Sequence, residues 1–149
     1  MSFTALQSAT IITAHCGFTK LLVSFTYRIL NFMGPKIGVK QETIEDFNTN
    51  KHVVEFRNAI NNESEFCAFL VAPLLYLASV EGKNTADPTL SLGATLIVYG
   101  QCGYVWTRTL LGYPTIGTIA SALLRYVGMT IVTKELWNVA FPKNNKSIK

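Results

Sequence analysis

Charge is absent from long tracts of this chain and crowded into one. Residues 1–19, 66–80, 88–107 and 109–124 hold no Asp, Glu, Lys or Arg. Between Pro35 and Glu65, by contrast, lie Lys36, Lys40, Glu42, Glu45, Asp46, Lys51, Glu55, Arg57, Glu63 and Glu65. The helices of a soluble core carry charge on every turn, so uninterrupted apolar tracts between wet segments predict membrane spans. Four helices are expected, at about 3–32, 52–80, 88–110 and 114–141. Gly34 and Pro35 in "MGPK" stop the first. The polar stretch "KIGVKQETIEDFNTNK" reads as a connector. Pro73 should kink the second helix, and Pro88 suits the first turn of the third. "EGKNTADP" and "GYPT" read as loops, and residues 143–149 as a disordered tail. No internal repeat is visible, and the length fits one domain, 1–149. The fold class this predicts is an all-α membrane protein, a bundle of four transmembrane helices.

Composition sharpens the picture. Charged residues make up 15% of the chain, against about 25% in soluble domains. The net charge of +4 is modest, and no basic run is interleaved with aromatics, so nucleic acid is not an expected partner. Cys16, Cys67 and Cys102 all fall in apolar segments and read as small buried hydrophobes, not as a disulfide framework. His15 and His52 have no ligand-spaced companions, and no metal site is expected. Residues 1–19 lack a basic leader region and run on, past Lys20, into further apolar sequence, so they read as a retained first span. Loop cations do not orient the protein: Lys36, Lys40, Lys51 and Arg108 on one side balance Lys83, Lys143, Lys146 and Lys149 on the other.

The informative residues are the polar ones inside the spans, where a charge costs roughly 2.5–3.5 kcal/mol on insertion scales. At about 100° per residue, Glu55, Asn58, Asn62, Glu65 and Phe69 share a face of the second helix, while Arg57, Asn61 and Ser64 lie on another. Such a stripe either lines a polar cavity or ties helices together through Asn and Glu. Gln101, Tyr104 and Arg108 share a face of the third helix, where Gly93, Gly100 and Gly103 permit close approach. Gly117, Ser121, Arg125, Gly128 and Val132 form a small-residue stripe on the fourth. Arg125 interrupts that stripe and is expected to pair with Glu63 or Glu65. Trp106 and Trp137 suit interfacial anchoring.

The stretch "FRNAINNESEFCAFL", with Asn62 and Glu65 three apart and an aromatic after the Glu, resembles the signature of the MAPEG family, the membrane-associated proteins in eicosanoid and glutathione metabolism. Lys20 and Arg28 on the first helix, "ETIEDF" in the connector and Tyr104 in "VYGQCGYVWTR" agree with it. The resemblance implies a left-handed four-helix protomer, a homotrimer, and glutathione bound between subunits near the cytosolic side. Its implied glutathione-binding residues are Arg28, Asn58, Asn62, Glu65 and Tyr104, and its implied catalytic residues Arg108, Arg125 and Tyr104. Glu65 would take the glutathione amino group, and Arg28 a carboxylate. The implied function is a membrane-bound transferase or peroxidase acting on lipophilic electrophiles or lipid hydroperoxides, resident in the endoplasmic reticulum or nuclear envelope. The chain departs from the family pattern where Asn58, Ile60, Ala68 and Gln101 replace Arg, Gln or His, Pro and Arg, and "GYPTIGT" carries no Arg. Those departures favour the alternative, a non-catalytic lipid-binding or scaffold member. An unrelated small transporter is disfavoured by the lack of an inverted repeat.

Overall fold

In the computed structural model, which describes residues 2–81 and 87–142, every regular element is helical. Thr4 starts the first helix, α1 (Ala5–Arg28), with a capping box: its hydroxyl accepts from Gln7 N, and the Gln7 side chain accepts from Thr4 N. The chain then loosens into a π-helical turn, Ile29–Met33, and a 3-10 turn, Pro35–Ile37, before Gly38 reverses it at φ 86°. A short helix follows, α2 (Gln41–Thr49), which buries Ile44 over Gly34. Asn31 and Asn48 exchange side-chain amide hydrogen bonds, at 2.8 and 3.4 Å, and tie the π-turn to α2. The connector expected from the sequence is therefore itself folded.

The remaining helices are α3 (Lys51–Glu81), α4 (Pro88–Leu111) and α5 (Ile116–Ala140). Pro73 lies inside α3. Asp87 caps α4 by accepting from Thr89 N at 2.7 Å, with Pro88 in the first turn. Gly112 closes α4 in the left-handed region, φ 66°, and packs against His52. Thr115 and Thr118 box the start of α5. The loop residues 82–86 and the tail 143–149, for which a turn and disorder were expected, lie outside the described residues.

The long helices run up, down, up and down, because the core falls into two levels that alternate in chain direction. One level joins Ala5, Ala9 and Ile12 of α1 to Leu70, Leu74 and Leu77 of α3, Leu90, Ala94 and Ile97 of α4, and Val132 of α5. The other joins Ala59 and Ile60 to Tyr104 and Val105, with Val23 and Ala122 against them. α4 and α5 make the most extensive helix pair. Their closeness depends on glycine: a Cβ on Gly128 would lie 2.6 Å from Gly93 O, and one on Gly100 would collide with the α5 backbone at Ser121 and Arg125. The small-residue stripe on α5 is thus a packing surface.

The exterior is unusually apolar. Leu21, Phe25, Phe69, Ile116, Ile119 and Leu123 are all more than half exposed, while Ser8, Thr19, Glu63, Gln101, Thr118 and Arg125 are buried. α3 (over Lys51–Val80) and α5 are long and apolar enough to cross a membrane.

Candidate functional site

Between the two apolar levels lies a polar belt to which all four long helices contribute. On one side of it, Glu63 is wholly buried. Its carboxyl group meets His15 Nδ1 at 2.5 Å and lies 3.1 Å from Thr19 Oγ1, whose single hydrogen is shared with His15 O at 2.8 Å, so the His15 bond is the main polar tie between α1 and α3 here. Thr19 follows His15 by one helical turn, which is why both reach the same carboxylate. The His15 ring meets Trp106 of α4 edge-on, at 6.1 Å between centroids.

On the other side, α5 contributes Arg125, which is 2% exposed. It does not pair with Glu63 or Glu65. Instead Nη1 donates to Gln101 Oε1 at 3.0 Å, and the guanidinium lies over the rings of Phe66, Tyr104 and Tyr126, at 4.2, 5.1 and 5.2 Å. Desolvated cation–π contacts are worth on the order of 2 kcal/mol or more, and three rings together take over the role expected of a carboxylate. Glu63 is already committed to His15, and Glu65 points to the exterior, which is the physical reason for the difference.

Next to Arg125, the Tyr104 oxygen receives two hydrogen bonds, one from Asn62 Nδ2 at 3.0 Å and one from Arg108 Nη1 at 2.8 Å. Arg108 also holds Glu55: Nε donates to Oε2 at 2.8 Å, and Nη2 makes a second, very short bond to the same oxygen. With both lone-pair directions engaged, the phenol has only its proton left to offer, and donation from a cation makes that proton a stronger donor. Among the described residues, three further buried polar atoms here have no hydrogen-bond partner: Asn62 Oδ1, Gln101 Nε2 and Arg125 Nε. Native interiors rarely leave such atoms unmet, so each has bonding capacity open to a water or to a ligand.

The sequence-derived site residues divide into two groups. Tyr104, Asn62, Arg108 and Arg125 converge on one cluster. Asn58, Glu65 and Arg28 are exposed and are not joined to it. The stripe on α3 is therefore split, with Glu55 and Asn62 turned towards α4 and Asn58 and Glu65 outward. Sequence reasoning missed the ligation of Glu63 by His15 and Thr19, and the Phe66 platform beneath Arg125. The available signal was weak: an imidazole in an uncharged tract and a carboxylate amid other polar residues, in helices expected to be neighbours. Among the described residues no group of three or more His, Cys, Asp or Glu side chains could hold a metal ion.

No protein-family model, curated protein or solved structure matches this chain.

Proposed function

We propose that the chain is a four-span membrane protein of MAPEG type, a homotrimer that uses glutathione against lipophilic electrophiles or lipid hydroperoxides. Residence in the endoplasmic reticulum or nuclear envelope follows from that resemblance. The distribution of side chains supports the membrane part: many large apolar residues lie on the outside, while Glu63, Gln101 and Arg125 are buried and Arg108 is held by Glu55. The single observation that carries the chemical part is the Tyr104 hydroxyl, whose oxygen accepts from both Asn62 and Arg108 and so leaves its own proton as the group to donate.

Glutathione would supply the thiolate nucleophile. Tyr104 would donate its hydrogen bond to the developing charge on sulfur, while Arg108 and Asn62 hold the phenol in place. Arg125, dry and stacked, supplies positive potential beneath the ring without itself being solvated. Glu65, Asn58 and Arg28 lie on the outer face, where they suit the amino and carboxylate ends of a peptide held between two protomers. The trimer is thus required to complete the site. Lipophilic co-substrate would arrive from the bilayer along the exposed apolar faces.

A second reading is favoured by one observation, the Glu55–Arg108 pair. That carboxylate neutralises the cation nearest Tyr104, which suits a non-catalytic lipid-binding or scaffold protein. Glutathione binding to the protein in lipid nanodiscs separates the two. Binding at millimolar concentration or tighter, weakened in Glu65→Gln and Tyr104→Phe, is the expected result. No binding up to about 20 mM, a free energy weaker than about 2.3 kcal/mol, discards the glutathione chemistry and leaves the scaffold.

A further inference from the structure

A cavity of about 240 Å³ lies between the second half of α1, α2 and the start of α3; its Val23 and Phe56 pack on the Tyr104 level of the core, and none of the polar residues grouped around Tyr104 lines it. Its walls are Leu22, Val23, Phe47, Val53 and Phe56, with Tyr27 beside them. Thr26 also borders it but spends its hydroxyl on Leu22 O at 2.8 Å, so that wall is apolar in effect. The one charged group in the lining is Arg57, which is partly buried. Among the described residues Arg57 makes no ion pair and no side-chain hydrogen bond. The nearest acids in sequence are otherwise placed: Glu55 is held by Arg108, and Glu42, Glu45 and Asp46 are exposed on α2, with Glu45 accepting from Gln41. None of these carboxylates lines the cavity.

An apolar slot with one unneutralised guanidinium in its lining describes its own ligand. We infer that the cavity binds a single-chain lipid carboxylate, a fatty acid whose head pairs with Arg57 and whose alkyl chain lies against Phe47, Val53 and Phe56. Guanidinium matches one carboxylate in a two-pronged geometry. A phosphate dianion would call for a second cation, which the lining does not hold. The volume falls below the roughly 300–1,000 Å³ of pockets that take drug-sized ligands, so it admits part of one chain and excludes the paired chains of a bilayer phospholipid. The acid is a resident ligand, seated where α1, the folded connector and α3 meet, and it takes no part in the chemistry proposed at Tyr104. The site needs neither glutathione nor a second protomer.

The test is photo-crosslinking in neutral phosphatidylcholine nanodiscs, comparing diazirine-tagged dodecanoic acid with the matching dodecanol and mapping adducts by mass spectrometry. Adducts from the acid are expected in residues 22–27 and 47–57. The alcohol should label there about ten- to hundredfold less, the factor a charge-assisted hydrogen bond supplies. Arg57→Gln should lower the acid to the level of the alcohol, and Arg57→Lys should retain part of the difference. Equal labelling by acid and alcohol on the unmutated protein would overturn the proposal without reliance on any variant. So would a diacyl phosphatidylglycerol that competes as well as untagged dodecanoate does. Loss or survival of glutathione binding has no bearing on either outcome.

Discussion

Glu63 and Arg125 set the energetic stakes of the polar belt. Each is nearly or wholly without solvent contact, and each is met by groups from a different helix. Removing the Glu63 carboxyl leaves the His15 ring and the Thr19 hydroxyl without this buried partner, at about 1–3 kcal/mol for each. Glu63→Ala should lose that much stability in thermal unfolding in mild detergent, whereas Glu63→Gln, which still bonds to His15 and Thr19, should lose about 1–3 kcal/mol. Arg125→Lys keeps the charge but not the flat guanidinium that lies across three rings. A loss of about 2 kcal/mol is expected there, with Gln101→Met serving to separate the hydrogen bond from the stacking. Neither partner choice was legible in the sequence. Glu63 and His15 are 48 positions apart, and only packing of α1 on α3 brings them together. The choice of aromatic faces over a carboxylate for Arg125 depends on which way Glu65 points, a rotation of one residue about the helix axis.

At the scale of elements, the four long helices were legible because apolar tracts and their breakers recur at helix length. Gly34 with Pro35, Asp87 with Pro88, and Gly112 each stand at a helix end in the fold, as their backbone preferences require. α2 was not legible, since nine residues with Ile44 and Phe47 as the apolar members give too short a pattern to separate from a polar loop. The α4–α5 pair makes a sharp prediction. Gly100→Ala and Gly128→Ala force the backbones apart and should each cost about 1–3 kcal/mol, read as a lowered unfolding temperature. Gly17→Ala meets nothing within 4 Å, so it should be neutral or stabilise by up to about 1 kcal/mol through helix propensity. Equal losses at all three positions would contradict this packing.

For the molecule as a whole, the decisive property is where apolar surface lies. On a water-soluble bundle, replacing an exposed Leu or Ile by Arg is harmless. On α5, Ile119→Arg and Leu123→Arg should each add about 2.5–3.5 kcal/mol to membrane insertion, visible as a smaller carbonate-resistant fraction in microsomes. Unchanged extraction would put those faces in water. One end of the bundle carries a further consequence. His52, near the start of α3, reaches across to α4, where its Nδ1 lies 2.9 Å from Thr109 O. A carbonyl can only accept, so Nδ1 must bear the hydrogen, and the ring is held in the tautomer that leaves Nε2 bare. The clasp thus fixes the orientation of the ring and fastens the first turn of α3 to the last turn of α4, beside the Gly112 reversal.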